Sequence, residues 1–371
     1  MPRRVAVTGT RGKSGVTRLV AAGLRASGAR VLAKTTGSKP VLILPDGSER
    51  EIVRPGPASI REQAGLVALA ARTGADTLVA EMMSIGPECL ATEARAILRP
   101  GTLALTNVRL DHLDDMGPRR EDVARALASA FTEGCEVFVP AEEVRPELEA
   151  AAGRTGARLR AVAGAAAGDG PGGSARPPFG AFEPNVRLAL AVLDSLGVDG
   201  ETALRGMAGA AADAGSLRVW RGEFGAPPRS AICVGAFAAN DPESSAAALA
   251  EALALVPRAG RPLVGILSLR EDRGDRTLQW VRAAGEGFFR DFSAVVLVGP
   301  PARAALRKIR RQPNPGGTVF SFCAGSSPEA LMDIVLAAVR GEPVVVGLGN
   351  FVGAGERVVR YWDGKGTLHG R

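Results

Sequence analysis

The sequence predicts an α/β protein made of two successive domains, each a largely parallel sheet covered by helices. Three observations carry that prediction. Short apolar runs alternate with stretches of helical periodicity from one end of the chain to the other, which is the pattern of βαβ units. The first of these units opens as strand, glycine loop and helix within the first 26 residues. At 371 residues the chain also exceeds the roughly 250–300 residues over which a single hydrophobic core keeps growing, so two cores are expected.

In order, residues 4–8 read as a buried strand, 9–14 as a glycine loop, and 16–26 as a helix, with Val16, Leu19, Val20 and Leu24 at helical spacing before a Gly28 stop. Strands are then expected at 31–34, 77–81, 103–107 and 137–140, with helices at 60–73 and 120–131. Between 41 and 54 the pattern breaks into an inserted β-hairpin turning at Pro45-Asp46-Gly47. Residues 161–178 are rich in Ala, Gly and Pro and read as an irregular excursion, followed by helices at 185–196 and 201–211. A second block begins near Leu217, with strands at 231–234, 263–267, 294–298, 319–322 and 344–346 and helices at 244–255, 279–289 and 329–340. The expected domains are therefore 1–215, a parallel sheet carrying the glycine loop, and 216–371, a smaller Rossmann-like α/β domain.

Composition excludes several classes. The net charge of +7 permits an anionic partner, but aromatics make up only 4% of the chain, too few to stack bases, so no nucleic-acid partner is expected. Cys89, Cys135, Cys233 and Cys323 are widely separated and form no CxxC. That argues against a zinc ribbon or a disulfide framework, and predicts four buried thiols in a reducing compartment. No run approaches the 18 or so apolar residues of a membrane span, and no signal-like stretch precedes the first strand. The expected location is the cytoplasm, at most peripheral to the inner face of the cell membrane.

The sharpest local signal is Thr8-Gly9-Thr10-Arg11-Gly12-Lys13-Ser14, placed where strand becomes helix. Glycines let backbone N–H groups approach phosphate oxygens, the helix start adds a positive field, Lys13 neutralises the β/γ phosphates, and the Ser14 hydroxyl is a magnesium ligand. Gly9, Thr10, Arg11, Gly12, Lys13, Ser14 and Gly15 are therefore the expected nucleotide-binding residues. The common GxxxxGK[ST] form would need a glycine where Val7 stands, so the loop departs from the widest P-loop class.

Glu81 ends one strand, and Asn107-Val108-Arg109-Leu110-Asp111-His112-Leu113-Asp114-Asp115-Met116-Gly117 follows another. In an open parallel sheet ligands collect at the carboxyl ends of strands, so Ser14, Glu81 and His112 are expected to converge on a divalent ion. Oxygen donors suit Mg²⁺, and a histidine also admits Mn²⁺. The run Leu269-Arg270-Glu271-Asp272-Arg273-Gly274-Asp275-Arg276 follows a strand of the second block. Its arginines either grip an acidic substrate or phosphates, or form an internally salt-bridged loop. Gly347-Leu348-Gly349-Asn350-Phe351-Val352-Gly353 has its third glycine one place late for a dinucleotide fingerprint, so NAD is not expected.

Taken together these residues resemble the Mur ligase superfamily of ATP-dependent amide-forming enzymes. Gly9-Thr10-Arg11-Gly12-Lys13-Ser14 matches its short P-loop, and Thr106-Asn107 with Asp111-His112-Leu113-Asp114 is similar to its metal-binding segment. Within the superfamily the sequence resembles the ligase subunit of poly-γ-glutamate synthase, the CapB/PgsB type. The stretches that carry this likeness are 9–18, Lys34-Thr35-Thr36-Gly37, Arg54-Pro55-Gly56 with Ile60-Arg61-Glu62-Gln63, 106–112, 237–244, 270–276 and 347–355.

The resemblance implies a P-loop ATPase domain of Mur ligase type, with Ser14, Glu81 and His112 holding magnesium, Lys13 the γ-phosphate, and Asn185 near the adenine. The expected catalytic set is Lys13, Glu81 and His112. Lys34, Thr35, Thr36, Arg54, Arg109, Asn240, Arg270, Arg273 and Arg276 are expected at the substrate. The implied reaction activates a glutamate carboxylate with ATP and joins it to another glutamate's amine. Implied partners are glutamate, its γ-linked polymer, small membrane subunits of a synthase complex and a second copy of the chain.

Three departures qualify the likeness. The P-loop begins at residue 9, so the substrate domain that precedes it in peptidoglycan Mur ligases is expected to be missing, which disfavours a UDP-linked substrate. The membrane-spanning N-terminus frequent in the poly-γ-glutamate family is expected to be absent, with anchoring left to partners. The arginine opening the second Mur ligase domain would fall near Gly215-Ser216, and Arg218 is expected to replace it. Two other readings remain at this point, namely a nucleotide switch or assembly subunit of a membrane complex, and a Mur-like ligase for another amino acid.

Overall fold

In the computed structural model the described residues are 3–368 without 38–39, 55, 57, 165–181, 212–216, 238, 257, 315 and 326. They fall into two compact units, Met1–Ala214 and Gly215–Arg371. The first contains strands β1 (Arg3–Thr8), β2 (Val31–Lys34), β3 (Val41–Ile43), β4 (Glu49–Glu51), β5 (Thr77–Glu81), β6 (Thr102–Leu105), β7 (Glu136–Pro140) and β8 (Arg158–Val162). They form one sheet in the order β4-β3-β2-β5-β1-β6-β7-β8. The six strands from β2 to β8 in that order are parallel, and the β3–β4 hairpin adds antiparallel at the β2 edge.

Alternating side chains of β1 serve two cores, as a pleated strand covered on both faces requires. Val5 and Val7 pack with Val16, Val20, Leu188 and Val192, while Ala6 packs with Leu78, Leu103, Leu127 and Phe131. Register then fixes the site. Val7 lies opposite Glu81 on β5, and Thr8 opposite Leu105 on β6. The glycine loop, Glu81 and the segment from Thr106 therefore emerge side by side at one edge.

The second unit holds β9 (Arg218–Phe224), β10 (Arg229–Gly235), β11 (Leu263–Ser268), β12 (Ala294–Val298), β13 (Val319–Cys323), β14 (Val344–Gly349) and β15 (Gly366–Leu368), in the order β13-β12-β11-β14-β10-β9-β15. The five strands from β13 to β10 in that order are parallel, and β9 and β15 close the other edge antiparallel. Trp220, Trp280 and Trp362 are all buried here, with Trp220 and Trp362 ring centroids 5.4 Å apart.

Several elements were not anticipated: β8, β9, β15, the helical stretch Pro87–Thr92 and Glu93–Leu98, and the helices Pro146–Thr155, Ala302–Ile309 and Glu356–Lys365. The helix expected at 279–289 runs instead over Gly274–Gly285, so it starts directly behind Arg273. Of the four thiols expected to be buried, Cys89 is exposed, because it sits in the first turn of a helix opened by Gly86 and Pro87. The excursion at 161–178 lies outside the described residues from 165 onward. Among the described residues no helix is long and apolar enough to cross a membrane.

Candidate functional site

Between β1 and the helix Lys13–Ala26 the chain turns on two glycines with positive φ, Gly9 at 123° and Gly12 at 77°. Each has a second reason to lack a side chain. A Cβ on Gly9 would lie 2.1 Å from Thr106 Oγ1, and one on Gly12 would lie 2.8 Å from both amide-end atoms of Asn185. Asn185, expected near a nucleotide, is thus seated against the loop itself. Gly12 gives the helix no side-chain cap, and an uncapped helix start following a glycine turn is anion-binding architecture.

The loop is held from the neighbouring strand end. Thr10 Oγ1 donates to Asn107 Oδ1 (2.7 Å), which also accepts from Arg11 N (3.0 Å). Asn107 Nδ2 and Thr106 Oγ1 both donate to Arg11 O, at 3.1 and 2.6 Å. Arg11 pairs with Asp111. His112, in a left-handed conformation with φ 47°, has its Nε2 3.6 Å from Asp111 Oδ2, so Asp111 ties the histidine to the loop.

Of the three expected metal ligands, Ser14 and Glu81 are in direct contact. Ser14 Oγ donates to Glu81 Oε2 at 2.7 Å, and Thr36 N donates to the same oxygen at 2.7 Å. A Cβ on Gly37 would come within 2.7 Å of Ser14 Oγ, so the glycine keeps space beside the hydroxyl. A hydroxyl and a carboxylate are hard oxygen donors, the set that suits Mg²⁺ or Mn²⁺; His112 is linked to the loop through Asp111 and Arg11. Among the described residues no group of three or more His, Cys, Asp or Glu side chains gathers as a metal cluster, here or elsewhere. Lys13 Nζ donates to Gly9 O at 2.7 Å. Burial pushes its pKa down, opposed by the charges of Glu81 and Asp111.

Behind Glu81 lies a polar network that the sequence reading did not identify. Gln63, 0% exposed, donates through Nε2 to Glu81 O (2.8 Å) and to Glu93 Oε1 (2.7 Å). Glu93, equally buried, also accepts from Met83 N (3.1 Å) and Ser84 N (2.9 Å), shaping the chain just after the strand end. Lys34 Nζ donates to Gln63 Oε1 at 3.3 Å and pairs with Glu62 Oε2 at 3.0 Å. Arg54 grips Glu62 with two bonds of 2.7 and 3.1 Å. Burial pushes the Glu62 carboxyl up, but hydrogen bonds from Arg54 and Lys34 outweigh it and hold the pKa at about 2.

Lys34 and Arg54, expected at the substrate, are thus both engaged by a carboxylate of the chain. Thr35 is fully buried and closes the β2–β3 turn by accepting from Val41 N at 3.3 Å. Arg109 lies 3.7 Å from Glu143.

At the carboxyl edge of the second sheet the arginine run divides. Arg270 pairs with Asp272 of its own loop through bonds of 2.9 and 2.6 Å, the internally bridged alternative. Arg273 stands immediately before the helix Gly274–Gly285. Arg276 is buried, with Nη1 3.4 Å from Asn350 Oδ1, and Asn350 Nδ2 donates to Ser268 O at 3.2 Å. Asn240 accepts through its carbonyl from Trp280 Nε1 at 3.3 Å. Asn240 Oδ1 and Ser268 Oγ are both buried without a hydrogen-bond partner among the described residues. Ser268 and Asn350 were not anticipated; the sequence signal for both is their position directly at a strand end.

Gly347 and Gly349 serve packing, since Cβ atoms there would lie 2.2 Å from the Phe237 ring and 2.3 Å from Ser268 O. Arg218 lies 3.7 Å from Asp363 and 5.5 Å from the Trp220 ring centroid, while Gly215 and Ser216 lie outside the described residues.

Comparison with known proteins agrees with this geometry. Residues 7–154 match the Mur ligase middle domain, and residues 223–365 match the poly-gamma-glutamate synthase CapB C-terminal domain. The chain is 26% identical over 361 residues to the PGA synthase CapB of Bacillus subtilis (strain 168), covering 97% of this chain and 90% of the relative. It is 28% identical over 363 residues to the capsule biosynthesis protein CapB of Bacillus anthracis, covering 97% and 76%. Among solved structures it superposes on a bifunctional folylpolyglutamate synthase/dihydrofolate synthase from Yersinia pestis complexed with AMPPNP and Mn ion. That match has a TM-score of 0.68 at 18% identity, over 97% of this chain and 89% of the other.

Fold and loop define a protein of the Mur ligase class, a P-loop sheet followed by a Rossmann-like α/β unit. Within that superfamily its matches are to the CapB type named for poly-γ-glutamate synthase.

Proposed function

We propose that this chain is an ATP-dependent amide ligase that lengthens poly-γ-glutamate. A glutamate carboxylate attacks the γ-phosphate of ATP, giving an acyl phosphate and ADP, and the amine of another glutamate then displaces phosphate to form the amide. Oxide is too poor a leaving group for direct condensation, and phosphorylation replaces it with phosphate. The observation that carries this reading is the cradle of Gly9, Gly12 and Lys13 with Ser14 donating to Glu81 beside it.

In this reading residues 1–215 are the ATP-binding domain and 216–371 the ligase domain. Ser14, Glu81 and His112 would hold a divalent cation, Mg²⁺ or Mn²⁺, which when bound supplies charge neutralisation at the phosphates. The chain's own contribution is positioning. Lys13 faces the phosphates, and the Thr106–Asn107 clamp keeps the loop from reorganising as charge develops. Arg109, Asn240, Arg273 and Arg276 are proposed to hold glutamate carboxylates, with Arg270 released from Asp272 on binding. Lys34 and Arg54 act through Glu62, setting the end of β2, from which the chain brings Thr36 to Glu81. The chain is proposed to work in the cytoplasm, peripheral to the membrane, with small membrane subunits as partners.

The test incubates the purified chain with ATP, Mg²⁺ and glutamate, with and without membrane fractions, and measures ADP and polymer. Glutamate-dependent ADP release with amide formation is the expected result. ADP release indifferent to every acidic substrate tried would overturn the reading in favour of a nucleotide switch.

A further inference from the structure

At the edge of the first sheet opposite the glycine loop, a cavity of 510 Å³ opens where β6, β7 and β8 begin. Arg95, Arg99 and Arg154 wall it over Pro100 and Phe131, with Glu133 as its acid. The loop follows the carboxyl end of β1, while the cavity residues precede the amino ends of strands parallel to it. At about 3.3 Å per residue the two sites are separated by a strand length, on the order of 15 Å.

The three arginines lie at the ends of the helical stretches Glu93–Leu98 and Pro146–Thr155, where a cation complements the helix dipole. At the end of Glu93–Leu98 that role is already filled. Arg4 Nη1 donates to Leu98 O at 3.1 Å, and Arg229 in the second unit shows the full form, with Nη2 3.0 Å from Val339 O and 2.9 Å from Gly341 O. Arg95, Arg99 and Arg154 are exposed at the mouth of this open cavity, and no side-chain hydrogen bond or ion pair engages them among the described residues. Arg99 also stands in the left-handed region, with φ 48°, which bulky residues rarely occupy. The neighbouring helix Pro146–Thr155 ends in that conformation on Gly156, φ 73°.

We infer that the cavity grips the growing polymer. A γ-linked glutamate chain offers a carboxylate on every residue, and guanidinium forks pair with carboxylates. Three such forks around one cavity hold the product between additions and lengthen it. This inference rests on the poly-γ-glutamate reading of the site.

The test uses the full chain with AMPPNP and Mg²⁺, so that the loop is filled, and follows a fluorescein-labelled deca-γ-glutamate by anisotropy. The double variant Arg99→Gly with Arg154→Ala is expected to weaken binding about tenfold or more and to shorten the product. ADP release with free glutamate is expected to stay at the parent level. Arg99→Gly alone is expected to weaken binding while leaving the melting temperature unchanged or higher, since glycine accepts the positive φ; Arg99→Lys is expected to retain part of the affinity.

Binding equal to the parent in the double variant would overturn the inference. So would displacement of the probe by tripolyphosphate at lower concentration than by unlabelled γ-oligomer, which would make this a phosphate site. A parent chain that fails to bind the oligomer yet releases ADP with glutamate would remove the grip and leave the ligase reading standing.

Discussion

The carboxyl edges of the two sheets arise from the same parallel topology but are finished differently. Around the glycine loop, polar groups are bound across strands: Thr10 and Arg11 to Asn107, Ser14 to Glu81, and Glu81 through its carbonyl to Gln63. At the second edge two buried side-chain oxygens, Ser268 Oγ and Asn240 Oδ1, lack partners among the described residues, against Ser84 Oγ just past β5 at the first, and among the described residues Arg270 is engaged by its own loop. A site already satisfied by the fold reorganises little around a fixed group such as a triphosphate. Polar atoms left unmet in a folded interior cost free energy that a ligand can recover. The first edge is therefore suited to the part of the reaction that never varies, and the second to the part that confers selectivity.

The sharpest way to break this contrast is Lys13→Ala. Removing the lysine of the cradle is expected to lower glutamate-dependent ADP release by about 10²–10³-fold, the scale of losing a preorganised electrostatic group. Burial already disfavours the charged amine, so the variant should melt no lower than the parent. Scanning calorimetry beside the ADP assay checks both halves, and a large fall in melting temperature would show that Lys13 is structural.

Gln63→Leu is next. Its amide holds the Glu81 carbonyl and the buried Glu93 carboxylate, so its loss is expected to weaken Mn²⁺ binding roughly 10- to 100-fold, as loss of groups supporting a metal ligand does. Titration of Mn²⁺ in the presence of AMPPNP reads this without turnover. For the second edge, Arg276→Ala is expected to raise the KM for glutamate by about tenfold or more, the scale of a charged hydrogen bond, with the KM for ATP unchanged. Equal effects on both constants would erase the division of labour between the edges.

How far the residues announced this arrangement depends on the kind of signal each carries. The central strands were visible because strands covered on both faces are continuous apolar runs, as at Val344–Gly349. β9 was not, since Arg218, Arg221 and Glu223 interrupt its apolar residues, as an antiparallel strand beside a three-residue edge strand allows. The loop residues declare themselves locally, because glycine, lysine and serine must stand together on one turn. Gln63 and Glu93 could not be read in this way. Their role comes from hydrogen bonds across 18 and 30 positions of sequence, and nothing in their own helices distinguishes them. The arginine run left two readings open, grip or internal bridging, because the partner of Arg270 is local, Asp272 two positions on, while the burial of Arg276 beside Asn350 depends on a strand end 74 positions away.

Glu62 gives the smallest expected effect and the one most specific to the first edge. Its carboxyl is held at about 2 against an ordinary 4.5 by Arg54 and Lys34. A depressed carboxylate pKa contributes stability that is complete above the unfolded value and is lost as pH falls through the folded one. The contribution should therefore decay between about pH 4.5 and pH 2. In Glu62→Gln the amide cannot titrate, and Lys34, only 2% exposed, loses its counter-charge. The variant is expected to be about 1–2 kcal/mol less stable at pH 7, with a flatter decline through the acid window. Urea midpoints of both proteins from pH 7 to pH 2 check this. Parallel curves would mean that Lys34 and Arg54 are not held by this carboxylate in solution, returning both to the set free to meet substrate.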